Sequence, residues 1–159
     1  MQITILAVGK VKEKFYREAI EEFEKRLSRY CRLKIIEVDD EKTPDNASDK
    51  ACAQIMQKEG DRLKAHITED AYVIALAIEG KKYDSVKFSE KLNLLGVRGK
   101  SNIVFVIGGS LGICDELKKR ADELISFSDM TFPHQLMRVI LLEQVYRAYR
   151  IINNEPYHK

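Results

Sequence analysis

Four short runs rich in valine, isoleucine and leucine recur along the chain, at Ile3 to Val8, Leu33 to Val38, Tyr72 to Ile78 and Ile103 to Ile107. Each ends in polar or turn residues, the pattern of strands buried on both faces. Leu124 to Phe127 forms a weaker fifth. Helical periods fill the gaps. Lys12 to Tyr30 places Phe15, Ala19, Ile20, Phe23 and Leu27 on one face, with Glu21 and Lys25, and Glu22 and Arg26, paired at four-residue spacing. Asn46 to His66 carries Ala47, Ala51, Ile55 and Leu63, with Gly60 weakening the pattern. Ser85 to Gly96 carries Phe88, Leu92 and Leu95 and ends on a glycine in the usual C-terminal position. Strands that alternate with helices need crossover connections, so the expected class is α/β: a mainly parallel sheet with helices on both faces.

The 159 residues are the usual size of one domain, and we expect a single domain over 1–159. There is no repeat, low-complexity tract or linker, and the loop around Lys42 to Asp45 is the one candidate hinge. Twenty-seven basic residues against 25 acidic give a formal charge of +2, which does not by itself point to nucleic acid. The distribution is uneven. Positions 10 to 34 hold nine basic and five acidic residues, whereas 39 to 61 hold seven acidic and three basic. The first segment offers an edge for RNA phosphates, or simply a solvated face laced with ion pairs. Cys31, Cys52 and Cys114 form no C-x-x-C pair, so neither a metal site nor a disulfide framework is indicated. Reduced thiols, short apolar runs and a start directly in QITILAV fit a cytoplasmic protein with no membrane span.

Residues 104 to 112 read VFVIGGSLG, a buried strand opening into three glycines. In an open α/β sheet ligands lie beyond the carboxyl ends of the strands, where glycines let backbone approach closely. A P-loop would need lysine and a hydroxyl after the last glycine, but Ile113 and Cys114 follow Gly112. The dinucleotide fingerprint fails as well, because Ser110 and Ile113 stand where glycines belong. A ligand edge of another kind, or a mere chain reversal, remains.

SFSDMTFPH at 126 to 134 has no regular period and suits a loop offering backbone amides and an apolar wall to a flat ring, or else a weak edge strand running into a helix. Pro133 fits the first turn of the following helix, with Thr131 or Phe132 near its cap. That helix, Pro133 to about Ile152, is apolar on more than one face, which favours packing against a second copy in a homodimer. Glu143 and Arg147 sit one turn apart and should pair. Arg138 lies in an apolar stretch, where a charge needs an anionic partner, and is a site candidate. The end of the chain, Tyr157-His158-Lys159, is either a solvated tail or a set of groups able to stack on a base, move a proton and meet a phosphate.

VFVIGGSLG, SFSDMTFPHQLMR and LLEQVYRAYRIINNEPYHK, together with ITILAVGKVKEKF and DDEKTPDN, resemble the ribosomal RNA large subunit methyltransferase H family, of the SPOUT class, over essentially the full chain. The resemblance implies a C-terminal trefoil knot, against ordinary topology rules, a homodimer, and S-adenosylmethionine as cofactor. It implies methyl transfer to N3 of a pseudouridine in 23S rRNA of the assembled ribosome, without a metal. The cofactor pocket would be Leu76, Gly108 and the loop Phe127, Ser128, Asp129, Met130, Thr131 and Phe132. His158 would assist deprotonation, Tyr157 would shape the base pocket, and Arg138 and Lys159 would steady RNA or developing charge.

Two positions depart from the family pattern: Asp129 stands where a basic residue is common, and Cys114 follows the glycine turn, where a small buried role suits it better than a nucleophilic one. The competing readings are a small-molecule enzyme with a flavodoxin-like fold and a non-catalytic ribosome- or RNA-binding module.

Overall fold

The computed structural model describes all 159 residues, Met1 to Lys159. Strands and helices alternate as β1 (Gln2–Val8), α1 (Lys14–Leu27), β2 (Arg32–Val38), α2 (Asp49–Lys64), β3 (Tyr72–Lys82), α3 (Ser85–Val97), β4 (Asn102–Ile107), α4 (Asp115–Arg120), β5 (Glu123–Ser126) and α5 (His134–Ile152). The five strands form one sheet in the order β2-β1-β4-β3-β5, and every pairing is parallel. The expected α/β class with helices on both faces is the observed one.

The central strands β1 and β4 read as continuous apolar runs because each faces a core on both sides, whereas β2, at the sheet edge, leaves Arg32, Lys34 and Glu37 exposed. Ile3, Ile5 and Ala7 of β1 and Ile103, Phe105 and Ile107 of β4 pack with Leu27 of α1, Leu92 of α3 and Leu142 of α5. The intervening Leu6, Val8, Val104 and Val106 pack with Leu63 of α2 and Leu117 of α4. Each such Val, Leu, Ile or Phe side chain contributes about 1.5–3 kcal/mol relative to an exposed one. The two faces also follow the path of the chain. Crossovers stepping toward the β2 edge carry α1 and α3 on one face, and those stepping toward the β5 edge carry α2 and α4 on the other. A single crossover hand requires that division.

Several boundaries differ from the sequence expectation. α3 continues past Gly96 to Val97, and the residue that closes it is Gly99, at φ +76°. Gly99 N–H donates to Gly96 O at 3.0 Å and Lys100 N–H to Leu95 O at 2.9 Å, the paired bonds of a glycine C-terminal cap. α5 begins at His134, with Pro133 itself in the cap position rather than Thr131 or Phe132. The short α4 has no counterpart among the expected helices, since its only buried residue is Leu117 and six residues carry no readable period. Gly60 sits inside α2 for a packing reason: a Cβ there would stand 2.4 Å from Cys114 Sγ. Cys114 is buried and serves that contact. No helix is long and apolar enough to cross a membrane.

Candidate active site

The carboxyl ends of β3, β4 and β5 open into a cavity of about 360 Å³. Three backbone devices shape it. The first is the glycine turn after β4, where Gly112 N–H donates to Gly109 O at 3.0 Å and the chain folds back on itself. A Cβ at Gly108 would lie 2.7 Å from the Gly112 backbone, and one at Gly109 would lie 2.9 Å from the Glu59 carboxylate of α2. Glycine is therefore required by the turn itself, and the space beyond it stays open. Glu59 braces this edge by accepting from Glu41 N–H at 2.9 Å, and burial pushes its carboxyl above the usual range. Ser110 Oγ lies 3.4 Å from Thr43 Oγ1, which brings the expected hinge loop against the turn.

The second device is a bulge in β3. Ile125 of β5 is matched first with Leu76 and again with Lys81, so Ala77 to Gly80 loop out of the ladder. A Cβ at Gly80 would stand 2.7 Å from the backbone of Leu124 and Ile125, so only glycine lets the bulge close. Leu76, Ala77, Ile78 and Glu79 then form one wall of the cavity. The bulge is the part of the site missed in the sequence; its signal is the Glu79-Gly80 break inside an otherwise strand-like run. His134 and Met137 of α5, also not foreseen, line the cavity as well.

The third device is the loop between β5 and α5. Ser126 Oγ donates to Ser128 O at 3.1 Å, and Met130 N–H donates to Ser128 Oγ at 3.0 Å, so the serines hold the loop in shape. Phe127, Ser128, Met130, Thr131 and Phe132 all line the cavity together with Leu76 and Gly108. Asp129 does not; it points outward and pairs with Lys82 at 2.5 Å. The lining has one lysine, Lys118, which is bound to Glu79 at 2.6 Å. With Phe127 and Phe132 in the lining, its one lysine already paired and a backbone turn cleared of side chains, the cavity suits a ligand with a flat apolar part and no phosphate. No cluster of three or more His, Cys, Asp or Glu is placed to hold a metal ion.

A second cavity, of about 640 Å³, shares Ile125, Ser126, Phe127 and Phe132 with the first and has His158 in its lining. The chain end reaches it because Tyr157 is fastened to α5, although His158 itself stays exposed. Tyr157 Oη donates to Glu143 Oε1 at 3.0 Å, its ring meets Tyr146 edge-on at 5.0 Å, and the Arg147 guanidinium stands 4.7 Å over its centroid. Glu143 and Arg147 pair at 2.5 Å as their spacing predicts, and Arg147 Nη1 lies 3.1 Å from His158 Nδ1. Burial, then the bond to Glu143, push the Tyr157 phenol above its ordinary value, so it stays protonated near neutrality. Further back, Glu155 is held by Arg150 and by Tyr30 Oη at 2.8 Å. Lys159 is exposed.

Arg138 joins neither cavity. Its side chain is 1% exposed, it pairs with Glu37 of β2, and its Nη2 donates to Val8 O at 3.0 Å and Gly9 O at 2.6 Å. The expectation that it steadies RNA directly gives way to a structural role: a guanidinium buried in this way cannot reach a macromolecular surface. Its anionic partner, foreseen from burial cost alone, is Glu37.

A family model described as predicted SPOUT methyltransferase matches residues 1–158. The chain is 62% identical over 159 residues, all of both chains, to ribosomal RNA large subunit methyltransferase H of Bifidobacterium adolescentis. It is 60% identical to the protein of that name from Clostridium novyi and 57% identical to that from Clostridium tetani, again over the whole of each chain. A parallel sheet whose glycine turn, strand bulge and aromatic loop converge on one cavity, and a match over nearly every residue, agree: the chain belongs to the SPOUT methyltransferase family.

Proposed function

We propose that this protein transfers a methyl group from S-adenosylmethionine to N3 of a pseudouridine in 23S rRNA of the assembled ribosome, acting as a homodimer. The observation that carries the reading is the pair of cavities divided by Phe127 and Phe132, one fitted to a phosphate-free adenosine conjugate and the other lined by His158. Relatives of 57–62% identity bear the name ribosomal RNA large subunit methyltransferase H, which supports a large-subunit rRNA substrate.

When bound, the cofactor supplies a methyl already activated by its sulfonium. The tasks left to the chain are alignment and charge control. Leu76, Gly108 and the 127–132 loop hold the donor at the strand ends, with Asp129 facing RNA beside Lys82. Tyr157, locked against Tyr146 and Glu143, shapes the acceptor side, and His158 acts on the imide. The homodimer is supported by apolar side chains left partly open on α5, Leu136, Val139 and Ile140, and by exposed Leu94 and Val97 of α3.

The deciding experiment is transfer of labelled methyl to ribosomes lacking the modification, isolated large subunits and naked rRNA. Label mapping to a pseudouridine in the first acceptor is the expected result. Cofactor binding with no label in any acceptor would discard the substrate assignment, and ribosome binding without cofactor binding would leave a non-catalytic binding module.

A further inference from the structure

Resting on that reading, we infer that His158 offers the acceptor base an Nε2–H rather than a lone pair, because Arg147 already occupies its other ring nitrogen. The guanidinium of Arg147 never gives up a proton in a protein and has no acceptor. With Nη1 at 3.1 Å from His158 Nδ1, the only bonding arrangement is donation from arginine into an Nδ1 lone pair. A neutral imidazole with a lone pair on Nδ1 carries its single proton on Nε2.

Arg147 is itself tightly held, so the tautomer is set by the fold. It sits on α5 within a double contact to Glu143, with Nη2 at 2.5 Å and Nε at 3.1 Å from Oε1. The Tyr157 ring lies beneath it at 4.7 Å. Glu143 in turn receives the Tyr157 hydroxyl and the Gln144 amide, the latter at 2.8 Å. Arg147 is thus a positioning residue, and His158 would be the group that touches the substrate.

The consequence is chemical. N3 of a pseudouridine lies between two carbonyls, and loss of its proton spreads negative charge onto their oxygens. An Nε2–H aimed at one of those oxygens favours the anion without taking the proton, which leaves to water. The N3 electron pair then forms the new bond to the methyl carbon, while the pair of the breaking carbon–sulfur bond stays on sulfur. His158 assists deprotonation as a fixed hydrogen-bond donor, in the manner of an oxyanion-hole group.

Two measurements test this. Long-range nitrogen–proton spectra of histidine-labelled protein should show His158 as the Nε2–H tautomer, and Arg147→Met should let the Nδ1–H form appear. An Nδ1–H tautomer in the unsubstituted protein would overturn the proposal. In the methyl-transfer assay His158→Gln, whose amide N–H can take the place of Nε2–H, should stay within about tenfold of the parent rate. His158→Asn and His158→Ala should lose about 10²- to 10³-fold, the usual cost of one such donor. Equal losses in all three variants, with cofactor binding intact, would overturn the donor role. If the parent protein methylates no rRNA, the functional reading falls, while the spectra still decide the tautomer.

Discussion

Arg138 of α5 and Glu37 of β2, 101 residues apart in the chain, form an ion pair that ties the last helix to the carboxyl edge of the sheet. Glu37 also accepts from Val11 N–H at 3.1 Å, and Arg138 covers the Val8 and Gly9 carbonyls, so one pair fixes the exit of β1. The pair is asymmetric, because Arg138 is sealed while the Glu37 side chain is 34% exposed. Glu37→Leu strands a buried cation and should cost about 3–5 kcal/mol. Arg138→Met leaves a carboxylate that water can reach and should cost less, about 2–3 kcal/mol for the lost bonds. Urea unfolding midpoints of the two variants check the order.

Gly60 and Cys114 should show coupled energetics. Alanine at a helical glycine ordinarily stabilises by about 0.5–1 kcal/mol. Here the new methyl meets Cys114 Sγ, so Gly60→Ala should instead destabilise by about 1–3 kcal/mol. In a Cys114→Ala background the sign should revert, and a double-mutant cycle of unfolding free energies measures the coupling.

Gly108 and Gly99 separate the needs of the site from those of the fold. Gly108→Ala forces the turn away from Gly112 and should reduce S-adenosylmethionine affinity at least tenfold in calorimetric titration, with the sheet retained. Gly99→Ala, strained by its positive φ in a cap remote from the cavity, should cost about 1–2 kcal/mol of stability and leave binding unchanged.

His134 should make stability fall on acidification. Burial, and then the nearby Arg138 charge, hold its imidazole below the ordinary 6.5, against a weaker opposite pull from Asp40. The unfolded chain therefore binds that proton more readily, so this contribution is complete above pH 6.5 and is lost as pH drops below it. His134→Gln should flatten that part of the profile, read as urea midpoints between roughly pH 8 and 5.

Much of the architecture was legible because burial on two faces writes itself into local composition. The five strands and four longer helices each leave a period or an unbroken apolar run, and the pairing of Glu143 with Arg147 follows from helical spacing alone. VFVIGGSLG marked the edge at which the cavity opens, since a turn that close admits no Cβ whatever the rest of the chain does. The absence of a following lysine by itself excludes a P-loop grip on phosphate.

Other features depended on contacts distant in sequence. Nothing local to Arg138 names Glu37, and nothing local to Gly60 names Cys114; each is explained only when two elements meet. The β3 bulge arises because β5 pairs twice through Ile125, a register that a single strand cannot record. Likewise, a tail that reads as solvated becomes fixed once Glu143, Arg147 and Tyr146 receive Tyr157 and His158. Local sequence determined which segments are strands, helices and open turns, because periodicity and steric freedom are properties of neighbours along the chain. Tertiary structure alone decided which charges are neutralised, which glycines are indispensable and which groups share a cavity, because those depend on distances set by packing.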